Sequence, residues 1–142
     1  MKIRRATKED IDVIIDIWDK SGLPIRPKGR DAPENLIKQL NEPNLWMLVA
    51  EESGEIVGVV LVTHDTRKGW INRLATKPSR IREGIATKLL HAAEKSLYEI
   101  GIEVIALLIK DDNIPSRAFF EKENYQYSEE IAYYSKRLDP EA

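Results

Sequence analysis

The stretch Ile56-Val57-Gly58-Val59-Val60-Leu61-Val62-Thr63 constrains the chain most. It is nearly continuous β-branched sequence, with no polar residue before its end. Such a run reads as a central strand buried on both faces. A sheet with a strand of that kind needs layers above and below it, so the chain must supply helices for both sides.

The flanking sequence supplies them. Lys2 to Ala6 alternates and reads as a strand. Thr7-Lys8-Glu9-Asp10 is a helix start with an acid three residues after the cap, followed by Ile11, Ile14, Ile15 and Trp18 at helical spacing. Ser21-Gly22 ends that helix, and the Pro- and Gly-punctuated residues Leu23 to Arg30 form a loop. A second helix spans Pro33 to Leu40. Leu45 to Glu51 is a strand, joined to the central one through the turn Glu52-Ser53-Gly54-Glu55. Trp70 to Thr76 is the next strand. A long helix runs from Gly84 to about Ile100, stopped by Gly101. Ile102 to Ile109 reads as a strand and Asp111 to Glu123 as a helix start and helix, ended by Asn124. Tyr125 to Ser128 and Ile131 to Arg137 read as a closing hairpin. The expected order is βααβββαβαββ: an α/β (α+β) fold with a mixed, mostly antiparallel sheet of about seven strands and four flanking helices. Residues 1–142 read as one domain.

Composition narrows the function classes. The chain has no cysteine, which removes disulfides, thiolate metal sites and a cysteine nucleophile. No metal site is expected. The net charge of −2 lacks the basic excess of a general nucleic-acid binder. No apolar run approaches the roughly 20 residues of a bilayer span, and the N-terminus has no signal-like stretch. The expectation is a cytoplasmic protein with neither nucleic-acid nor membrane partners.

Chemistry concentrates between Leu74 and Leu90. A strand gives way to the basic loop Lys77-Pro78-Ser79-Arg80-Ile81-Arg82-Glu83, and Gly84 opens a helix. A helix N-terminus offers unpaired N–H groups and partial positive charge, which suit phosphate oxygens. Gly84 and Ala86 are small enough for a bulky anion to approach the backbone. Arg80, Arg82 and Lys88 add charge. Neither GxxxxGK[ST] nor GxGxxG is present, so a nucleoside triphosphatase and a Rossmann dehydrogenase are disfavoured. From these residues alone, a capped helix whose glycine only makes a turn is an equal reading.

The stretch resembles the pyrophosphate-binding motif of the GNAT superfamily of acyl-CoA N-acyltransferases, roughly [QR]-x-x-G-x-[GA] after a strand ending L-x-V-x-P. Here the strand ends Leu74-Ala75-Thr76-Lys77-Pro78, and the small pair is Gly84 and Ala86. The segment from Asn113 to Tyr125 is similar to that family's N-x-x-[AS]-x-x-x-[YF]-E-K-x-G-[FY]. Ile81 and Arg82 depart from the family's usual Gln or Arg and Gly, and Asn124 stands for its usual Gly. The resemblance covers almost the whole chain and most closely fits small single-domain prokaryotic acetyltransferases.

The resemblance implies an N-acetyltransferase that moves an acetyl group from acetyl-CoA to a primary amine by direct attack in a ternary complex. The implied cofactor contacts are Leu74, Thr76, Arg82, Glu83, Gly84, Ile85, Ala86, Thr87 and Lys88, with Asn113, Ser116 and Phe120 from the second segment. Leu74 would offer its backbone N–H to the oxyanion. The family's usual acid on the strand before the phosphate loop is missing from Trp70-Ile71-Asn72-Arg73. His64 is a candidate base, and a water relay the default. Phe120 replaces the Tyr that protonates the departing sulfur in relatives, leaving Tyr133 and Tyr134 as candidates. Arg26, Lys28 and Arg30, in the Pro-stiffened loop, suggest a small-molecule or peptide amine acceptor that carries an anionic group. A homodimer is compatible with the reading. The alternative is a non-catalytic module that senses acetyl-CoA.

Overall fold

The apolar run does lie at the centre. In the computed structural model, which describes all 142 residues, it forms most of β3 (Glu55–His64). β3 pairs antiparallel with β2 (Leu45–Glu52) on one side and β4 (Gly69–Thr76) on the other. β1 (Lys2–Arg5) adds antiparallel to β2, and β5 (Ile105–Ala106) adds parallel to β4. The sheet order is β1-β2-β3-β4-β5.

Helices cover both faces because the strands are apolar on both. On one side α3 (Ile85–Glu99) packs Leu89, Leu90, Ala93 and Leu97 over Trp46, Leu48, Val60 and Val62. On the other, α1 (Ile11–Lys20) and α2 (Pro33–Leu40) bring Ile14, Ile17, Trp18 and Leu36 against Met47, Val49, Val59 and Leu61. The helix start read from Thr7 to Asp10 is present: the Thr7 N–H donates to Asp10 Oδ2 at 2.8 Å. α4 (Ile114–Lys122) follows β5, and Asn124 takes the expected left-handed conformation, φ +71°. No helix is long and apolar enough to cross a membrane.

Two irregularities matter for the site. Val59 pairs with Ala75 and Leu61 with Asn72, so Val60 alone faces both Arg73 and Leu74. This is a β-bulge, in which one residue of the pair is left out of the ladder. It also resets the alternation of β4. Ile71 belongs to the α3-side core and Ala75 to the α1-side core, although residues four apart in a regular strand share a face.

The second irregularity is the brevity of β5. The expected strand from Ile102 to Ile109 pairs only through Ile105 and Ala106. The closing hairpin over Tyr125–Ser128 and Ile131–Arg137 is absent, so the sheet has five strands and not seven. A strand exists by pairing, and a two-residue β5 presents almost no ladder for further strands to extend. Tyr125 packs instead edge-on against Phe120, and its hydroxyl donates to Glu94 Oε2 at 2.7 Å.

Candidate active site

β4 and β5 run parallel but stay together only at Gly69–Ile105 and Trp70–Ala106. From Ile71 to Thr76 no residue of β5 opposes β4. That edge of β4 is a length of strand backbone without a strand partner, open to an extended ligand except where a side chain already takes a carbonyl, as the Ser21 hydroxyl does that of Thr76 at 3.1 Å. Since the strands are parallel, α3 and α4 both begin beyond the same end of the sheet, where the edge is open.

At that end the chain turns through Arg82 (φ +71°) and Gly84 (φ +80°) into α3. The backbone N–H groups from Arg82 to Thr87 donate no hydrogen bond within the protein. Lys88 is different: its N–H is already given to the Gly84 carbonyl at 3.2 Å. Of the expected backbone donors, then, Arg82, Glu83, Gly84, Ile85, Ala86 and Thr87 remain available, while Lys88 has only its side chain to offer. A row of unpaired amides at the head of a fifteen-residue helix is a positive terminus facing solvent.

The loop cations divide into two groups. Arg80 is held by Glu52 at 2.6 Å and Glu83 at 2.9 Å, and Lys77 pairs with Glu55. The Arg80 guanidinium in turn keeps the Glu83 carboxyl below the usual carboxylate range. These contacts pin the loop to the β2–β3 turn and neutralise Glu83 beside the head of α3. Arg82 and Lys88 form no ion pair.

The second motif forms the start and body of α4. Asn113 caps α4, its Oδ1 accepting the Ser116 N–H at 3.2 Å, which leaves its amide NH2 group unused. Ser116 is half-buried. Phe120 is half-buried too, and meets Phe119 and Tyr125 edge-on at centroid distances of 5.0 and 5.4 Å. It packs against the α3-side core.

The candidate acid and base residues are not brought to this end. His64 closes β3 opposite Gly69, whereas Leu74 lies opposite Val60. Four residues of strand, roughly 13 Å, separate the two levels. The His64 ring lies against Trp46, and its Nδ1 accepts the Thr66 N–H at 3.1 Å. Tyr133 and Tyr134 lie outside any strand and are 69% and 90% exposed, without a hydrogen-bond partner. They stand on the surface because the hairpin expected to carry them does not form.

The basic loop is ordered by its own polar groups. Asp31 accepts the Arg26 N–H at 2.6 Å, Asn35 donates to the Gly29 carbonyl at 2.7 Å, and Gln39 to the Arg30 carbonyl at 2.9 Å. Arg26 is half-buried; Lys28 and Arg30 are exposed, and none of the three forms an ion pair. Two residues that sequence reasoning passed over complete this region. Arg73 at the bulge reaches Asp31, and its ring-facing guanidinium lies 5.0 Å from the Trp18 centroid. The only sequence signal was an acid among three cations.

Comparison with known proteins agrees with this geometry. Residues 12–125 match the Acetyltransferase (GNAT) family. An acetyltransferase of Sodalis glossinidius (strain morsitans) is 32% identical over 139 residues, covering 97% of this chain and 96% of that protein. Among solved structures, the fold is similar to an aminoglycoside antibiotic 6'-N-acetyltransferase from Acinetobacter haemolyticus: TM-score 0.80, 19% identity, 98% of this chain and 100% of that one. It is also similar to the PaiA N-acetyltransferase from Thermoplasma acidophilum in complex with coenzyme A: TM-score 0.78, 21% identity, 86% and 87% covered. With both motifs in order on the matching fold, the chain belongs to the GNAT family of acetyltransferases.

Proposed function

We propose that residues 1–142 act as one acetyl-CoA-dependent N-acetyltransferase domain whose cofactor lies along the open edge of β4, with its pyrophosphate on the amides of Arg82 to Thr87. The observation that carries this reading is the row of N–H groups without protein partners next to an unpaired strand edge. Thr76 and Leu74 would bond the pantetheine arm, with Asn113 and Ser116 across from them and Phe120 as an apolar wall. Arg82 and Lys88 supply countercharge.

The chemistry then needs little from side chains. An amine of lysine-like pKa is neutral in only about one molecule in two thousand at pH 7, so a proton must leave before attack. Water is the acceptor for it in this reading. The neutral nitrogen attacks the thioester carbonyl, and the developing oxyanion takes the N–H of Leu74. One such donor is worth about 3–4 kcal/mol. The attached nitrogen, now cationic, gives its extra proton to solvent, and collapse breaks the carbon–sulfur bond to leave the amide and expel CoA as thiolate. A thiol of pKa near 8.5 is a tolerable leaving group without an acid. Arg26, Lys28 and Arg30 would recognise a carboxylate or phosphate on the acceptor. A homodimer and a cytoplasmic location are part of the proposal; the apolar side chains of Ile131, Tyr133 and Leu138 are exposed surface that a second copy could cover.

Calorimetric titration tests the reading. Acetyl-CoA is expected to bind in the low micromolar range, about −8 kcal/mol, and pantetheine, which lacks the phosphates, is expected not to bind. No acetyl-CoA binding at millimolar concentration would overturn it. A second reading, a sensor that holds acetyl-CoA without turnover, draws on the distance of His64 and the packing of Phe120 into the core. Amine-dependent release of CoA separates the two.

A further inference from the structure

Asp31 ends the basic loop, and at 4% exposure it is a buried carboxylate. It holds two things at once. Its Oδ2 accepts the Arg26 N–H at 2.6 Å and Arg73 Nη2 at 2.8 Å. The same Arg73 nitrogen donates to the Pro24 carbonyl at 3.2 Å. Arg73 is therefore bound to both ends of the loop, and its own carbonyl accepts the Trp18 indole N–H at 3.2 Å.

Arg73 is also one of the two residues at the β4 bulge, and its φ is +48°. A non-glycine residue in that region costs about 1–3 kcal/mol and persists only where its surroundings hold it. Here they do so at the carbonyl, through Trp18, and at the guanidinium, through Asp31, Pro24 and the Trp18 ring.

An ion pair is not the most stable filling for such a place. Well-packed apolar residues would serve stability as well or better. Burial pulls the Arg73 guanidinium below its usual range; Asp31 opposes this, while Arg26 and Arg30 add to it. Arg73 Nη1 is buried without any partner. What the pair accomplishes and an apolar filling would not is a directed link between the loop and the bulge.

We propose that Asp31 is a positioning residue: through Arg73 it fixes the bulge that presents the Leu74 N–H, and through the Arg26 N–H it fixes the loop facing the acceptor. The oxyanion donor and the acceptor side are thus set by one carboxylate. This rests on the cofactor reading above, and its test keeps the two apart.

The probe is the amide analogue of acetyl-CoA, with nitrogen in place of the thioester sulfur, so that the carbonyl stays in place and is not consumed. Amide resonances of 15N-labelled protein are followed during titration. In the wild-type protein the Leu74 resonance is expected to move downfield as its N–H meets the carbonyl, and that of Gly84 to move with the pyrophosphate. In Asp31→Asn the Gly84 movement should remain and the Leu74 movement should be lost. Arg73→Lys, which keeps the charge but lacks the fork and the planar stack, should behave alike. A purely structural role would move all resonances together with the melting temperature, and would not single out Leu74. Leu74 moving in the variants as in the wild type overturns the positioning role alone. A wild-type Gly84 indifferent to the analogue overturns the cofactor reading and the role with it. If neither variant gives a dispersed spectrum, the pair is a folding element and the proposal is overturned.

Discussion

Gly84 shows how one backbone angle and one charge can be separated by mutation. Its φ is +80°, and a Cβ built there meets nothing within 4 Å. Gly84→Ala therefore adds strain of about 1–2 kcal/mol but no obstruction. It should lower the melting temperature and leave acetyl-CoA binding measurable. Gly84→Glu adds the same strain and a negative charge where the pyrophosphate is proposed to lie; calorimetry should find its affinity lower by roughly two orders of magnitude or more. Equal affinities for the two variants would remove the anion from this position. Asp10 gives a residue-scale prediction in pH. Its carboxylate accepts Arg4 Nη1 at 2.8 Å and Nη2 at 3.0 Å, and is pulled below the usual aspartate range first by that bond and, more weakly, by the Thr7 N–H. A depressed carboxyl stabilises the fold fully above its unfolded value of about 3.9, and loses that contribution as pH falls through the folded value. Asp10→Asn should cost on the order of 2 kcal/mol at pH 7, and urea midpoints should show the gap to wild type narrowing once pH falls below the unfolded value of about 3.9. The helix start at Thr7–Asp10 and the glycine at the head of α3 were readable because each is a local rule. Arg73 was not, since its partners Asp31, Pro24 and Trp18 lie more than forty residues away in sequence.

At the scale of elements, the site depends on how closely α3 lies on the sheet. Gly58 is the close approach nearest the helix head: a Cβ there would come within 2.9 Å of both Ile85 Cγ2 and Leu89 Cδ1 and 3.2 Å of the Ala75 carbonyl. Ile85 is the first residue of α3, so displacing it displaces the free amides. Gly58→Val should therefore destabilise the fold by about 1–3 kcal/mol and also weaken acetyl-CoA binding, whereas a simple packing defect far from the helix head would spare the affinity. Denaturant unfolding and calorimetry on the same preparation separate these outcomes. α4, which has no buried residue, was legible only from its start at Asp111–Pro115 and its stop at Asn124. Apolar patterning found the other helices and the first four strands, because burial writes the pattern. It failed where pairing decides. Ile102 to Ile109 is apolar enough for a long strand, but Val104 and Leu108 are half or more exposed and only two residues find the ladder. The alternation from Tyr125 to Arg137 likewise specifies a strand only if an edge receives it. The absent hairpin and the open edge of β4 both follow from the shortness of β5.

The whole molecule carries a net charge of −2, yet the proposed ligands on both sides are anions. Long-range attraction from the chain as a whole therefore contributes nothing, and local arrangement must do it. The structure divides its cations accordingly. Arg4, Lys77 and Arg80 are neutralised by Asp10, Glu51, Glu55, Glu52 and Glu83, and serve to fix loops and caps. The cations left without an acidic partner beside the proposed ligands fall into two sets, Arg82 and Lys88 at the head of α3, and Arg26, Lys28 and Arg30 on the loop after α1. Each set belongs to a different ligand in the proposed reaction, so their removal should have opposite signatures. Replacing Arg26, Lys28 and Arg30 by Gln should raise the acceptor KM about tenfold or more and leave acetyl-CoA affinity unchanged, each exposed contact being worth up to about 1 kcal/mol. Replacing Arg82 and Lys88 by Gln should weaken acetyl-CoA by a similar factor and leave the acceptor KM unchanged. Both effects should shrink as salt rises, because these charges face solvent. An acceptor KM that ignores the first set would show that the acceptor is not an anion, and the loop would then serve only to hold Asp31 against Arg73.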